Sequence, residues 1–159
     1  MIGWKKLFKQ SQKSYEDVTL KMIEQAVAFN WPVIFHVDLR LHEDFARKIL
    51  EKFPGHPFIF PHFGFSRKII VQLIENYDDC YTDFSSLLPF MQKTPEAYSK
   101  FIIKYQDRVL FGTDATTDWP DLVNQYIETV KMLIDDEVVL QKIFQLLFRK
   151  VLCIYLLSY

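Results

Sequence analysis

Four short apolar segments recur along the chain, and a segment with helical periodicity follows each of them. They are centred near residues 34, 59, 82 and 110, about 25 residues apart, which is the spacing of strand–helix units. A further helix precedes them, and Ser14 and Ser66 are predicted N-caps of the first and third helices. Continuous apolar runs such as "FIF" are typical of strands buried in a parallel sheet. The sequence therefore predicts an α/β fold, either a doubly wound open sheet or a (β/α)8 barrel.

Three of these strand segments end on a side chain that can bind a metal or carry a proton. "VIFHVD" contains His36, "IFPHFG" contains His62 and "VLFGTDA" contains Asp114, in a chain with four histidines in all. The carboxyl ends of parallel strands meet at one edge of the sheet, which is where active sites of α/β folds lie. We therefore expect these three side chains to lie close together.

Two imidazoles and one carboxylate form a partial ligand set for a divalent metal such as zinc. A bound metal makes water a nucleophile near neutral pH, and a neighbouring carboxylate or imidazole can accept its proton. Other interpretations stay open at this point. A histidine at a strand end can be a hydrogen-bonded rim residue, and an aspartate after "GT" can cap a helix or shape a loop.

Other polar and aromatic residues near the strand ends are weaker candidates. Asp83, Ser85 and Ser86 end the segment "CYTDFSS", where they contact a substrate or cap the next loop. Trp119 forms a pocket wall or packs against the fold. We take Asp83 and Trp119 as the candidate substrate-binding residues.

The remaining two histidines are predicted to be structural. His42, in "RLHED", lies at the start of a helix on the surface. His56, in "PGHP", lies in a turn that precedes a strand, on the rim opposite the candidate site.

Charge and cysteine content exclude several function classes. The net charge of −1 argues against a general nucleic-acid-binding protein, which would have a basic excess. Cys80 and Cys153 belong to no metal-binding cluster and are typical of thiols in a reducing cytoplasm. No segment is typical of a signal peptide or a membrane span, so we expect a soluble cytoplasmic protein.

The segments "WPVIFHVD", "KFPGHPFIFPHFG", "DDCYTDFSS" and "DRVLFGTDA" together resemble the metal-dependent amidohydrolase superfamily. The likeness is to its amidohydrolase-related branch of decarboxylases and hydrolases of small carboxylic acids, and extends from about residue 15 to about residue 120. It implies a (β/α)8 barrel with a divalent metal, zinc being the expected ion. By this resemblance His36 is the metal ligand of the fifth strand. His62 is the sixth-strand ligand or acid–base group, and Asp114 is the eighth-strand ligand and catalytic aspartate.

The chain also departs from the family's pattern. It contains no His-x-His, which supplies two metal ligands on the family's first strand. The resemblance therefore implies one partial domain over residues 1–159, an incomplete TIM-like barrel with about strands 4–8 and their helices. Residues Trp4 to Leu7 are then the expected remains of the fourth strand, with Lys5 or Lys6 near the bridging-lysine position of some relatives. An open barrel exposes sheet edges, so we expect self-association, a separate N-terminal half or a cover by the apolar C-terminal helix.

Three functions follow from these observations. The first is a metal-dependent hydrolase or decarboxylase of small carbonyl, amide or carboxylate substrates, impaired by the missing His-x-His, in which Asp114 and His62 move protons. The second is a non-catalytic remnant that acts as a binding or assembly module. The third is a TatD-like metallonuclease, although the sequence offers no basic groove for a phosphate backbone.

Overall fold

The computed structural model describes residues 4–116, 119 and 121–150, with side chains from residue 16 to residue 143 apart from 117, 118 and 120. The helices in this part are α1 (Trp4–Ala28), α2 (Leu39–Lys52), α3 (Arg67–Asn76), α4 (Leu88–Lys93), α5 (Pro95–Lys104), α6 (Leu122–Leu133) and α7 (Glu137–Lys150). The strands are β1 (Val33–Ile34), β2 (Phe58–Phe60), β3 (Cys80–Asp83) and β4 (Val109–Leu110). No helix among these residues is both long and apolar enough to cross a membrane.

The strands form one parallel sheet in the order β1-β2-β3-β4, so sequence neighbours are also neighbours in space. Val33 pairs with Phe58, and Phe58 pairs with Cys80. Thr82 pairs with Val109 in the last ladder. The predicted α/β class is therefore confirmed, and a four-stranded parallel sheet is consistent with part of a barrel.

The helices cover an apolar core that contains much of the sheet. Phe58 and Phe60 of β2 are fully buried, as are Ile70 and Leu73 of α3. Thr82 is a buried polar residue of the sheet, and its hydroxyl donates to the carbonyl of Phe60 at 2.6 Å. This bond gives the buried hydroxyl a partner, as a polar group in a core requires.

Helix starts show one prediction confirmed and one wrong. Ser66 is the N-cap of α3, and its hydroxyl accepts from the backbone N–H of Ile69 at 3.4 Å. Ser14 is not an N-cap, because it lies inside α1. The segment before it, "WKKLFKQSQK", contains neither proline nor glycine and is rich in residues with high helix propensity, so the helix continues toward the N-terminus.

The same helix corrects the expectation of a fourth barrel strand. Residues Trp4 to Leu7 form the first turn of α1 rather than a strand, so the alignment of Lys5 or Lys6 with a strand-end lysine has no structural basis. A second difference is α4, a helix of 6 residues in a segment where neither a helix nor a strand was predicted. A helix this short shows too few turns for its periodicity to be recognised.

The chain leaves β2 through a left-handed turn. Within the 3-10 segment Pro61–Phe65, the φ angles of His62, Phe63 and Gly64 are 56°, 55° and 56°. A β-carbon on Gly64 would come within 2.6 Å of Cγ of Leu39, which is completely buried at the start of α2. Only glycine fits at this position, because it tolerates the backbone angle and leaves room for the leucine.

Gly64→Ala should therefore destabilise the protein much more than Gly55→Ala, which adds its methyl group in open space at a φ of 82°. The left-handed backbone costs each alanine about 1 kcal/mol. Overpacking against Leu39 raises the loss in unfolding free energy for Gly64→Ala to roughly 2–4 kcal/mol. Urea denaturation of the two variants measures the difference, and equal losses would contradict the close packing of Gly64 on Leu39.

Candidate active site

A cavity of about 550 Å³ lies where the parallel strands have their carboxyl ends. One side of its lining comes from the residues that follow the strands: His36 after β1, His62 after β2, Ser86 after β3 and Asp114 after β4. The parallel ladder places all these strand ends at one edge of the sheet. The three side chains that the sequence predicted to be neighbours thus line a single cavity.

The rest of the cavity lining is mostly aromatic and includes one cation. Phe65, Phe90, Tyr98 and Arg67 belong to this part of the lining. The Arg67 guanidinium lies 4.8 Å from the centre of the Tyr98 ring, and its Nη1 donates to the Ala97 carbonyl at 3.2 Å. The cavity therefore combines titratable groups with apolar surface and one positive charge.

Two tyrosines near the cavity stay neutral. Burial raises the pKa of Tyr98, although the positive charge of Arg67 acts in the opposite direction. Burial also raises the pKa of Tyr126, whose hydroxyl accepts from the Leu88 N–H at 3.0 Å and donates to the Phe84 carbonyl at 3.4 Å. Tyr126 thereby connects α6 by hydrogen bonds to the segment that follows β3.

The two histidine rings lie next to each other. Their centres are 5.2 Å apart, and the planes of the rings of His36 and His62 are 77° apart. The ring of Phe65 packs edge-on against both, at 5.3 Å from His36 and 5.6 Å from His62. His36 is exposed and His62 is half-buried, so solvent reaches the pair from the cavity side.

Hydrogen bonds fix the ring of His62 at one of its nitrogens. Its Nδ1 lies 2.9 Å from the carbonyl oxygen of Ser85 and 2.9 Å from the hydroxyl oxygen of the same residue. Its Nε2 forms no hydrogen bond within the described part of the chain. One ring nitrogen of His62 is therefore anchored, while the other remains available to a ligand.

Asp114 is an exposed carboxylate in the loop that follows β4. Its Oδ2 accepts a hydrogen bond from the Ser86 hydroxyl at 2.6 Å. This short bond connects the β3 and β4 loops and holds the carboxylate at the cavity.

Left-handed backbone is concentrated at this site. His62, Ser86 and Asp114 have φ angles of 56°, 57° and 58°. Each such non-glycine residue costs about 1–2 kcal/mol, and residues strained in this way cluster at functional sites. The strain is an independent reason to regard these three positions as functional.

The two predicted substrate-binding residues, Asp83 and Trp119, are not among the residues that line the cavity. Asp83 is half-buried behind it, where its Oδ1 accepts hydrogen bonds from the backbone of His62 and from Ser85. Trp119 is 64% exposed. A substrate contact for either residue stays a prediction, and the bonds of Asp83 indicate that it shapes the loop.

The other two histidines lie elsewhere. His42 is half-buried in α2, where its φ of −130° and ψ of 26° interrupt the helical backbone. His56 is 5% exposed and precedes β2, on the opposite edge of the sheet from the cavity, and its Nε2 lies 2.9 Å from the Trp31 carbonyl.

The predicted metal ligands His36, His62 and Asp114 have the donor atoms that a divalent metal requires. Only the two histidines lie next to each other. No three His, Cys, Asp or Glu side chains in the described residues come close enough together to hold an ion. The adjacent rings of His36 and His62 supply imidazole nitrogen, which zinc prefers. Asp114 lines the same cavity outside this pair.

The aromatic residues and the cation of the lining were not predicted from the sequence. Arg67 is the first residue of α3. A helix that follows a parallel strand begins at the edge of the sheet where that strand ends. The position of Arg67 at the cavity could therefore have been inferred from "HFGFSR". Phe90 belongs to α4, which periodicity did not reveal.

Comparison with protein families identifies the fold's relatives. A family model described as Amidohydrolase matches residues 8–146. Comparison with curated proteins gave no match, and neither did comparison with solved structures. The family match covers most of the chain, including all four strands and every residue of the cavity. The chain therefore belongs to the amidohydrolase family.

Proposed function

We propose that this protein is a metal-dependent hydrolase or decarboxylase that acts on small carbonyl, amide or carboxylate compounds. The observation that carries the proposal is the convergence of His36, His62 and Asp114 on one cavity at the carboxyl edge of the sheet. Membership of the amidohydrolase family supports a hydrolase or decarboxylase type of reaction. The size of the cavity is in the range of small-molecule sites.

His36 and His62 are the residues that would hold a divalent metal, with zinc the expected ion. The pair offers two imidazoles side by side, and the free Nε2 of His62 has no competing partner in the described structure. Such an ion polarises a carbonyl oxygen and lowers the pKa of water. Further ligands have to come from Asp114, the substrate or water.

Asp114 is the proposed proton acceptor. It is exposed to the cavity, so a water molecule can reach its carboxylate. The Ser86 hydroxyl occupies Oδ2 and leaves the other carboxylate oxygen free to accept a proton. His62 lies on the same wall, and its free Nε2 makes it the second group able to carry a proton during the reaction.

The remaining residues of the lining select the substrate. Arg67 can bind a carboxylate through paired hydrogen bonds, which suit the planar guanidinium. Phe65 and Phe90 provide apolar surface for the body of the substrate, and the neutral Tyr98 hydroxyl adds a donor. Small carboxylic acids with a flat apolar part match this combination.

We also propose that the sheet is the later part of a (β/α)8 barrel, with β1–β4 in the place of the fifth to eighth strands. In the described residues β1 pairs with β2 alone, which leaves one edge open. An apolar cavity of about 250 Å³ lies beside this edge, lined by Met22, Trp31 and neighbouring residues. A second copy of the chain or an N-terminal half-barrel would cover this surface.

A non-catalytic binding module is the second candidate. The absence of a three-residue metal cluster from the described part of the chain favours it. It predicts ligand binding without turnover, so activity measurements separate it from the enzyme.

Asp114→Asn should reduce hydrolysis by about 100-fold or more, because an amide cannot accept the proton. A panel of simple amides, esters and lactones, assayed with added Zn²⁺, provides the measurement. Asp121→Asn is the matched control, since Asp121 makes no side-chain cap bond at the start of α6. Equal rates for the parent and Asp114→Asn would rule out the proposed role.

His36→Gln should weaken Zn²⁺ binding by about tenfold or more, because an amide is a poor substitute for an imidazole ligand. Isothermal titration of the metal-free protein measures the affinity. His42→Gln removes a histidine outside the cavity and should leave the affinity unchanged. If both variants bind zinc equally well, the histidine pair is not the metal site.

Arg67→Leu should weaken the binding of benzoate by about 10- to 100-fold, because the variant loses a charge-assisted hydrogen bond to the carboxylate. The affinity for benzamide, which has the same ring without the charge, should change little in Arg67→Leu. The neighbouring surface variant Lys68→Leu controls for the loss of one positive charge. Chemical-shift titration measures each affinity, and an equal effect of both variants on benzoate would exclude a specific contact with Arg67.

A further inference from the structure

A network of hydrogen bonds lies behind the cavity wall and centres on one carboxylate oxygen. Asp83 Oδ1 accepts from the backbone N–H of His62 at 2.9 Å and from the backbone N–H of Ser85 at 3.0 Å. It also accepts from the Ser85 hydroxyl at 2.5 Å. Ser85 is 5% exposed, so solvent hardly competes for these bonds.

The hydroxyl proton of Ser85 is therefore used in the hydrogen bond to Asp83. A carboxylate can only accept hydrogen bonds, so the serine must donate at the 2.5 Å contact with Asp83. A hydroxyl has one proton, and toward His62 the same oxygen can then only accept. The Ser85 carbonyl, which is the other group near the ring nitrogen, also only accepts.

Both neighbours of His62 Nδ1 thus require a proton on that nitrogen. We infer that Asp83 and Ser85 are positioning residues that hold His62 in the Nδ1–H tautomer and leave an unprotonated Nε2 for the cavity. Nδ1–H is shared between the two serine oxygens at 2.9 Å each. The assignment follows from the donor and acceptor count, so it is independent of the proposed reaction.

The left-handed turn contributes to the same arrangement. The bond from His62 N–H to Asp83 fixes the backbone at the point where φ becomes positive, and the bond from the ring fixes the side chain. Asp83 therefore acts on His62 twice, directly at the backbone and through the Ser85 hydroxyl at the ring. Fixing both ends of a ligand or acid–base residue in this way is what supporting residues do in functional sites.

His56 provides an internal contrast. Its Nε2 lies 2.9 Å from the Trp31 carbonyl, which can only accept, so this ring carries its proton on Nε2. The same chain should thus contain two half-buried or buried histidines in opposite tautomers.

Long-range ¹H–¹⁵N correlation spectra of the metal-free, full-length protein with ¹⁵N-labelled histidine test the assignment. In such spectra, recorded at about pH 8, each neutral imidazole ring reports which of its two nitrogens carries the proton. His62 should show the Nδ1–H pattern and His56 the Nε2–H pattern. Spectra of His62→Gln and His56→Gln assign the signals. An Nε2–H pattern for His62 in the parent protein would overturn the inference.

Two variants separate the contributions of the positioning residues. Asp83→Ala frees the Ser85 hydroxyl to donate to Nδ1, so an Nε2–H population of His62 should appear that the parent lacks. Ser85→Ala keeps the backbone carbonyl as an acceptor and should retain the Nδ1–H form. The His56 signal should stay unchanged in both variants and thereby reports an intact fold.

If the Asp83→Ala variant fails to fold, Asp83→Leu takes its place. Leucine has a similar size and also accepts no hydrogen bond, so the Nε2–H population of His62 should appear in this variant too, with the His56 pattern unchanged. A complete Nδ1–H population in folded Asp83→Ala would show that the Ser85 carbonyl alone sets the tautomer. The role of Asp83 would then be lost, whether or not the protein is an enzyme.

Discussion

The parallel ladder between β2 and β3 is the interaction on which the rest of the structure depends. It pairs Phe58 with Cys80 and Phe60 with Thr82, and the buried Thr82 hydroxyl bonds the Phe60 carbonyl across it. Because this register fixes where each strand ends, it also fixes the distance between His62, in the turn after β2, and Asp83, at the end of β3. A shift of one residue would turn every side chain of the strand to the other face of the sheet, and the network behind the cavity could not form.

The site combines strained backbone with bonds that hold it in place. The left-handed residues at the cavity are unfavourable in themselves, and two charge-assisted hydrogen bonds offset part of that cost. The Asp83 carboxylate accepts from the backbone of His62, and the Asp114 carboxylate accepts from Ser86. A loop held in one conformation keeps its side chains in a fixed geometry before any ligand arrives, which lowers the entropy lost on binding.

Much of the fold and part of the site could be predicted from the sequence. Apolar segments at the spacing of strand–helix units gave the four parallel strands, and the position of His36, His62 and Asp114 after those segments placed them at one edge. The role of Asp83 could not be predicted, because its partners depend on the φ angles of a turn that "PHFGF" does not reveal. The helical state of Trp4–Leu7 was missed because a resemblance to strand order outweighed local propensity. Phe90 was missed because α4 is too short to show periodicity.

The packing of Leu39 on Gly64 connects the first strand–helix unit to the turn after the second. His36 and His62 lie on the two segments that meet at this contact. The contact therefore fixes the position of one histidine-bearing segment against the other, and with it the spacing of the two rings. A side chain in place of Gly64 would have to displace Leu39, and that displacement would move the segment that carries His36 relative to the one that carries His62.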